Sequence, residues 1–119
     1  MTDVARNRET HARFAQAWAA RDVKELLSCL TDDVVYSASV GPEPGATYRG
    51  KRDASDGFEL IMAHDGSGTM KVTHTVFVAD RAYAEWVHHG PLGEVRGIDL
   101  LVFRDGLIAV KDAYRKGRT

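Results

Sequence analysis

The order of elements predicts an α+β fold with helices packed on one face of an antiparallel sheet. Three observations carry that prediction. Apolar residues recur at helical spacing through the first part of the chain, as in His11, Phe14, Ala15 and Trp18. Alternating runs rich in β-formers fill the second half, from Thr69 onward. An Asp105-Gly106 pair separates the last two runs, and glycine accepts the positive φ that a hairpin tip requires. Helices followed by a run of antiparallel strands give segregated layers.

Thr2 or Asp3 is placed to cap the first helix, whose apolar residues lie at i, i+3, i+4 and i+7. Arg21-Asp22 interrupts that stripe. Asp22 stands three residues before Glu25, the spacing of a capping box, and Val23, Leu26, Leu27 and Leu30 form the stripe of a short second helix. Asp32-Asp33 ends it, and Val34-Val35-Tyr36 begins a strand. Gly41 to Gly50, with two prolines and three glycines counting its ends, reads as a loop. Lys51 to Ala63 reads as a third helix, broken by His64-Asp65-Gly66-Ser67-Gly68. Four strands follow: Thr69 to Ala79, Ala82 to His89, Val95 to Phe103 and Leu107 to Tyr114.

The chain has 119 residues, a length suited to one domain spanning 1–119. Its net charge is −1 with the signs interspersed, which excludes the basic footprint of a nucleic-acid binder. The single Cys29 excludes an internal disulfide framework and a multi-cysteine metal site. No apolar run approaches the roughly 20 residues of a membrane span, and Met1 to Glu9 lacks the apolar stretch of a signal peptide. A cytoplasmic protein without membrane partner is the expectation.

Sorting strand residues by parity separates two faces. Val95, Gly97, Asp99, Leu101 and Phe103 share one; Arg96, Ile98, Leu100 and Val102 share the other. Both are largely apolar, so both need cover. Helices cover one. A second copy of the chain covers the other, which predicts a homodimer through Ile98, Leu100, Val102, Ile108 and Val110.

Asp99 is the anomaly: a mid-strand carboxylate on the helix-covered face is costly unless paired or protonated. A bulged three-residue tip pairs Phe103 with Leu107 and sets Lys111 opposite Asp99; a two-residue tip sets Asp112 there instead. The bulged form is favoured. Asp99 and Lys111 then form either a structural ion pair or part of a functional site. On the preceding hairpin Ala84, Trp86 and His88 share a parity with Thr73, Thr75 and Phe77. If that set faces inward, Trp86 is a pocket wall. His88 is then an acid–base candidate, with an ordinary pKa of about 6.5, or a hydrogen-bonded core histidine. His74 and His89 have the opposite parity. Phe14, Trp18, Tyr36 and Phe58 are either plain core or walls of an apolar pocket.

Three stretches resemble the nuclear transport factor 2-like superfamily, in its SnoaL-like and ketosteroid isomerase-like branches. They are Phe14-Ala15-Gln16-Ala17-Trp18-Ala19-Ala20-Arg21-Asp22 continuing to Leu30-Thr31-Asp32-Asp33-Val34, Tyr48-Arg49-Gly50-Lys51, and Phe103-Arg104-Asp105-Gly106-Leu107-Ile108 running on to Tyr114. The resemblance implies a cone-shaped, barrel-like curved antiparallel sheet wrapped around three helices, a conical pocket, and commonly a dimer. Asp99 looks like the oxyanion-hole aspartic acid of ketosteroid isomerases, kept protonated in an apolar site so that it donates a hydrogen bond. Val40-Gly41-Pro42-Glu43-Pro44 resembles the segment after their catalytic base. The base position itself is Ala38 and the oxyanion tyrosine position is Phe14. The aspartate that SnoaL-like cyclases and limonene-epoxide-hydrolase-like members carry in the last strand is Ala113 here, with Asp112 beside it.

These readings combine into a cofactor-free, metal-free enzyme doing proton-transfer chemistry on a small apolar or aromatic molecule, as an isomerase, cyclase, dehydratase or hydrolase. Asp99 acts as acid, base or oxyanion donor, His88 is its partner and Lys111 its electrostatic tuner. Phe14, Trp18, Tyr36, Phe58, Trp86, Leu101 and Phe103 shape the pocket. The alternative is a non-catalytic ligand-binding protein of the same fold, favoured by the missing carboxylates at Ala38 and Ala113. A protein-interaction module ranks third.

Overall fold

The computed structural model describes residues 3–42, 44–91 and 93–116. The possible cap Thr2 and the loop residue Glu43 lie outside them. Among the described residues the elements are α1 (Asp3–Ala20), α2 (Val23–Ser28), β1 (Leu30–Ser37), β2 (Thr47–Arg49), α3 (Gly50–Asp65), β3 (Thr69–Val78), β4 (Arg81–Gly90), β5 (Gly93–Arg104) and β6 (Leu107–Lys116). One sheet in the order β2-β1-β6-β5-β4-β3 curls around the helices without closing into a barrel. The architecture is α+β, as the element order requires. Among the described residues no helix is long and apolar enough to cross a membrane.

Local chemistry explains the helical corner. Arg21 takes a positive φ of 55°, its N–H donates to the Trp18 carbonyl at 3.0 Å, and the Asp22 N–H donates to the Ala17 carbonyl at 2.9 Å. Those two bonds satisfy carbonyls that the end of α1 would otherwise orphan. Asp22 then caps α2, its carboxylate accepting from the Glu25 N–H at 3.1 Å. The second helix ends earlier than its stripe suggested. Leu30 already belongs to β1, and Asp32-Asp33 sits on an exposed irregular stretch where β1 shifts register against β6. Their charges are held from outside, Asp32 by Lys51 at 3.6 Å and Asp33 by Arg104.

Two further features differ from the sequence reading. A short strand, β2, occupies the end of what reads as a loop, since Thr47 to Arg49 pairs antiparallel with Val35 to Ser37. The pairing of β1 with β6 is parallel, so the sheet is mixed. Neither leaves a local signature, because a three-residue strand is too short to alternate and the direction of a neighbour is a tertiary matter.

The β5–β6 hairpin carries the consequence for the site. Its tip is a two-residue turn, Arg104 pairing with Leu107, with Asp105 at φ 55° and Gly106 at φ 77°. The bulge lies one step down the strand: Phe103 pairs with Ile108 and Val102 with Val110, leaving Ala109 as the extra residue. Asp99 therefore stands opposite Ala113, neither Lys111 nor Asp112, and Lys111 stands opposite Leu101. The same bulge turns Ile108 inward, where it is fully buried in the core rather than on the outer face. A second bulge at Thr73 does likewise for β3. Thr75 and Phe77 face inward, as do Val72 and Met70 beyond the bulge, whereas Thr73 donates its hydroxyl to the Glu85 carbonyl at 3.3 Å.

Candidate functional site

Between α1, the end of α3 and the inner face of the sheet lies a cavity enclosing about 510 Å³, counted out to its open mouth. Helix α1 contributes His11, Phe14, Ala15 and Trp18, and α3 contributes Ile61 and Asp65. From the sheet come Tyr36, Met70, Val72, Trp86, Asp99, Lys111, Ala113 and Arg115, with Ser39 just beyond β1.

Asp99 and Lys111 meet here, though not by direct opposition. Lys111 shares a face with Ala113 one pleat away, and its Nζ reaches diagonally to Asp99 Oδ2 at 2.6 Å. The other carboxylate oxygen, Oδ1, accepts from the Trp86 Nε1–H at 3.0 Å. An ammonium and an indole N–H can only donate, so both Asp99 oxygens act as acceptors. That is the geometry of a carboxylate, and it differs from the protonated donor that the ketosteroid isomerase resemblance implies. The pair is nearly dry, with side-chain exposures of 5% for Lys111 and 15% for Asp99.

The Lys111 ammonium also sits over three rings, at 5.7 Å from the centroid of Phe14, 5.1 Å from Trp18 and 5.6 Å from Tyr36. Each ring presents its negative face to the cation, so the cage replaces part of the lost water shell. Phe58, expected as a wall, stands behind that cage. It is fully buried and touches Tyr36 at 4.7 Å, Trp18 at 5.5 Å and Phe14 at 6.0 Å between centroids. Leu101 and Phe103 are likewise core residues and do not line the cavity.

The structure does not bring His88 to Asp99. His88 faces inward as its parity predicts, but it lines a neighbouring, smaller cavity. The histidine of the main cavity is His11, which sequence reasoning placed on the apolar stripe of α1 without assigning it a role. Burial lowers its pKa below the ordinary 6.5, partly opposed by the Asp99 charge and reinforced by that of Lys111. Its ring meets Phe77 edge-on at 5.9 Å, and it makes no hydrogen bond within the described residues. A second buried pair, Asp65 Oδ1 with the Arg115 guanidinium at 2.8 Å, was also missed. Asp65 reads in sequence as part of a helix breaker, yet it is the last residue of α3. Tyr36 completes the polar set; burial and the Asp99 charge push its phenol well above the usual range, so it stays a hydroxyl.

The fold and the cavity now permit comparison with known proteins. A sequence profile of the SnoaL-like domain matches residues 11–111, most of the chain. The chain belongs to the SnoaL-like family. No curated protein matches it. Among solved structures, a nuclear transport factor 2-like protein of unknown function from Mesorhizobium loti superposes on this SnoaL-like chain with a TM-score of 0.83 at 25% identity, over 98% of this chain and 96% of that one. A steroid delta-isomerase from Pseudomonas aeruginosa gives 0.78 at 20% identity, over 95% and 81%. A protein with a ketosteroid isomerase-like fold from Catenulispora acidiphila, in complex with trimethylamine, gives 0.76 at 22% identity, over 89% and 84%.

One glycine of the SnoaL-like site is fixed by packing. Gly97 pairs with Trp86, and a Cβ built there would overlap both the indole and the Tyr114 carbonyl. The Gly97→Ala variant is expected to displace Trp86, break its bond to Asp99 and destabilise the fold by ~1–3 kcal/mol, the usual range for overpacking. Tryptophan fluorescence and denaturant titration measure both effects; an unchanged emission maximum at full stability would show that the clash is relieved without moving the indole.

Proposed function

We propose that this protein is a cofactor-free enzyme that moves a proton on a small, mainly apolar or aromatic molecule held between α1 and the sheet. The reaction class is isomerisation, cyclisation, dehydration or hydrolysis. The observation that carries this reading is that one cavity is lined both by an imidazole without a hydrogen bond among the described residues, its base form favoured by burial, and by a buried ammonium. His11 takes the proton. Negative charge that develops on a substrate oxygen is met by the Lys111 ammonium and the Tyr36 hydroxyl, donors held in a largely water-free site. Asp99 is a positioning residue here: from β5 it fixes Lys111 of β6 on one side and Trp86 of β4 on the other. This assignment transfers to His11 the acid–base role that the sequence gave to His88.

A second reading rests on a specific observation. Both cavity carboxylates, Asp65 and Asp99, are committed to buried cations. A site in which each carboxylate is neutralised by a counter-ion suits a non-catalytic ligand-binding protein, and the trimethylamine complex of the Catenulispora neighbour is an instance of this fold taking up a small molecule.

One experiment separates the two. The protein is incubated with a pooled extract of apolar metabolites, and retained and altered compounds are analysed by mass spectrometry. The enzyme reading expects a compound altered by wild type and untouched by His11→Gln. A compound retained but unchanged by wild type supports the binding reading and removes the catalytic roles. The pH profile gives a further check. Because burial lowers the His11 pKa, its base form persists as pH falls, so activity holds to below 6.5 and declines on the acid side. Stability follows the same sign: above 6.5 neither state binds the proton. As pH falls below it the unfolded chain protonates first and the folded state loses stability.

We also infer that two copies pair through the outer sheet face. Val78 and Tyr114 are 58% and 55% exposed there, beside exposed Val76 and Ile98 and half-buried Leu100, Val102 and Val110. On the same face of β4, Tyr83 links Val76 to Leu100, with Arg81 and Glu85 to either side, and apolar surface of this extent is unusual on a monomer. Ile98→Asp places a charge at its centre and is expected to yield a monomer by sedimentation velocity; a wild type that sediments as a monomer removes the inference.

A further inference from the structure

Beside the main cavity lies a second one of about 290 Å³, again counted to its mouth. Trp18, Asp65 and Met70 line both, so the two cavities adjoin. The second cavity contains an unexplained group. His88 is 6% exposed, and its Nε2 is buried without a hydrogen-bond partner among the described residues. A buried nitrogen left in that state costs the protein stability, so native structures rarely keep one without a use.

Its placement is built into the backbone. His88 lies on β4 between Met70 of β3 and Val95 of β5, on the face of the sheet that meets the helix layer. The Nδ1–Cε1 edge of the ring is packed against Gly90: a Cβ there would stand 2.7 Å from His88 Cε1 and 3.3 Å from Nδ1. The ring is therefore held along that edge, with Nε2 unsatisfied among the described residues. Asp65, which lines both cavities, spends Oδ1 on Arg115, while Oδ2 bonds no other described side chain. Imidazole Nε2 and a carboxylate oxygen together suit a group that both donates and accepts, and a hydroxyl is the simplest such group.

We propose that this chamber is an oxygen subsite, receiving the hydroxyl-bearing end of a ligand whose apolar body lies in the main cavity, with His88 Nε2 and Asp65 as its partners. The inference rests on the reading of the main cavity as a ligand site, and it narrows the ligand to alcohols and phenols. The Nε2–H tautomer of His88 fits this role, since the hydroxyl then accepts from that N–H and donates its single proton to Asp65.

The test uses the full chain labelled with ¹⁵N at histidine and tryptophan, titrated with phenol and with toluene, which share a ring and differ in the hydroxyl. His88 resonances are assigned by their loss in His88→Gln. The expected result is a saturable shift of the His88 Nε2 resonance with phenol and none with toluene. Phenol is expected to bind roughly tenfold more tightly than toluene, the gain of one hydrogen bond, with that advantage abolished in His88→Phe. Shifts confined to His11 and Trp86 overturn the subsite and leave the main cavity as a ligand site. Equal shifts of His88 by both compounds make the chamber merely apolar and also overturn it. No shift anywhere overturns the subsite together with the reading on which it rests.

Discussion

Replacing Lys111 with methionine is expected to destabilise the protein by ~3–5 kcal/mol, the range for stranding one member of a buried ion pair. The carboxylate of Asp99 would keep only the Trp86 N–H, in a cavity walled by Phe14, Trp18 and Tyr36. Denaturant titration measures the loss, and the paired variant Asp99→Asn with Lys111→Met should recover most of it, because the two charges mainly compensate each other. The cage adds a sharper expectation for Lys111→Ala. Truncation leaves three ring faces and a carboxylate around an ammonium-sized space, the arrangement that recognises alkylammonium ligands. Millimolar methylamine is therefore expected to restore stability to Lys111→Ala and not to the double variant. Full stability in Lys111→Met without added amine would mean that solvent already screens Asp99.

Phe58→Ala carries the second large effect. The ring is fully buried on α3 and packs against all three cage rings. Its removal is expected to cost ~3–5 kcal/mol, combining lost transfer energy with the cavity left behind. The site should suffer with the fold, since Trp18, Tyr36 and Phe14 lose their common backing and Lys111 loses a fixed cage. A lowered denaturation midpoint with an unchanged slope is the expected signature. A loss under about 1.5 kcal/mol, the range of volume-conserving swaps, would show that the neighbours collapse into the space and that the cage is not held from behind.

The parts of this architecture that follow local rules were legible in the chain. Helical stripes located α1 and α2, Asp105-Gly106 located the last hairpin, and parity sorted Asp99, Trp86 and His88 onto the inner face. What escaped were single-residue insertions. A bulge changes no composition and leaves each flanking run alternating, so Ala109 and Thr73 could not be singled out, and Ile108 was assigned to the wrong face. The Asp99–Lys111 pair was anticipated through an incorrect register; the length of the lysine side chain, which spans a diagonal as readily as a direct pair, made the contact robust to the error. His11 was visible as one residue of a stripe, but periodicity does not say which member of a stripe looks onto empty space and which onto packed rings. Asp65 was hidden because Asp before Gly reads as punctuation.

The bulge at Ala109 divides β6 into two halves with separate duties. Ahead of it, Leu107 and Ile108 fasten the hairpin to the core and to α1, where Thr10 donates to the Gly106 carbonyl. Beyond it, Lys111, Ala113 and Arg115 furnish the cavity. Because the strand changes phase between the halves, the inward positions of one are not continuous with those of the other. Chemistry in the cavity can thus be rewritten along the second half, one alternate residue at a time, while the anchoring half keeps its sequence. The strand behaves as a fixed handle joined to an exchangeable set of tools.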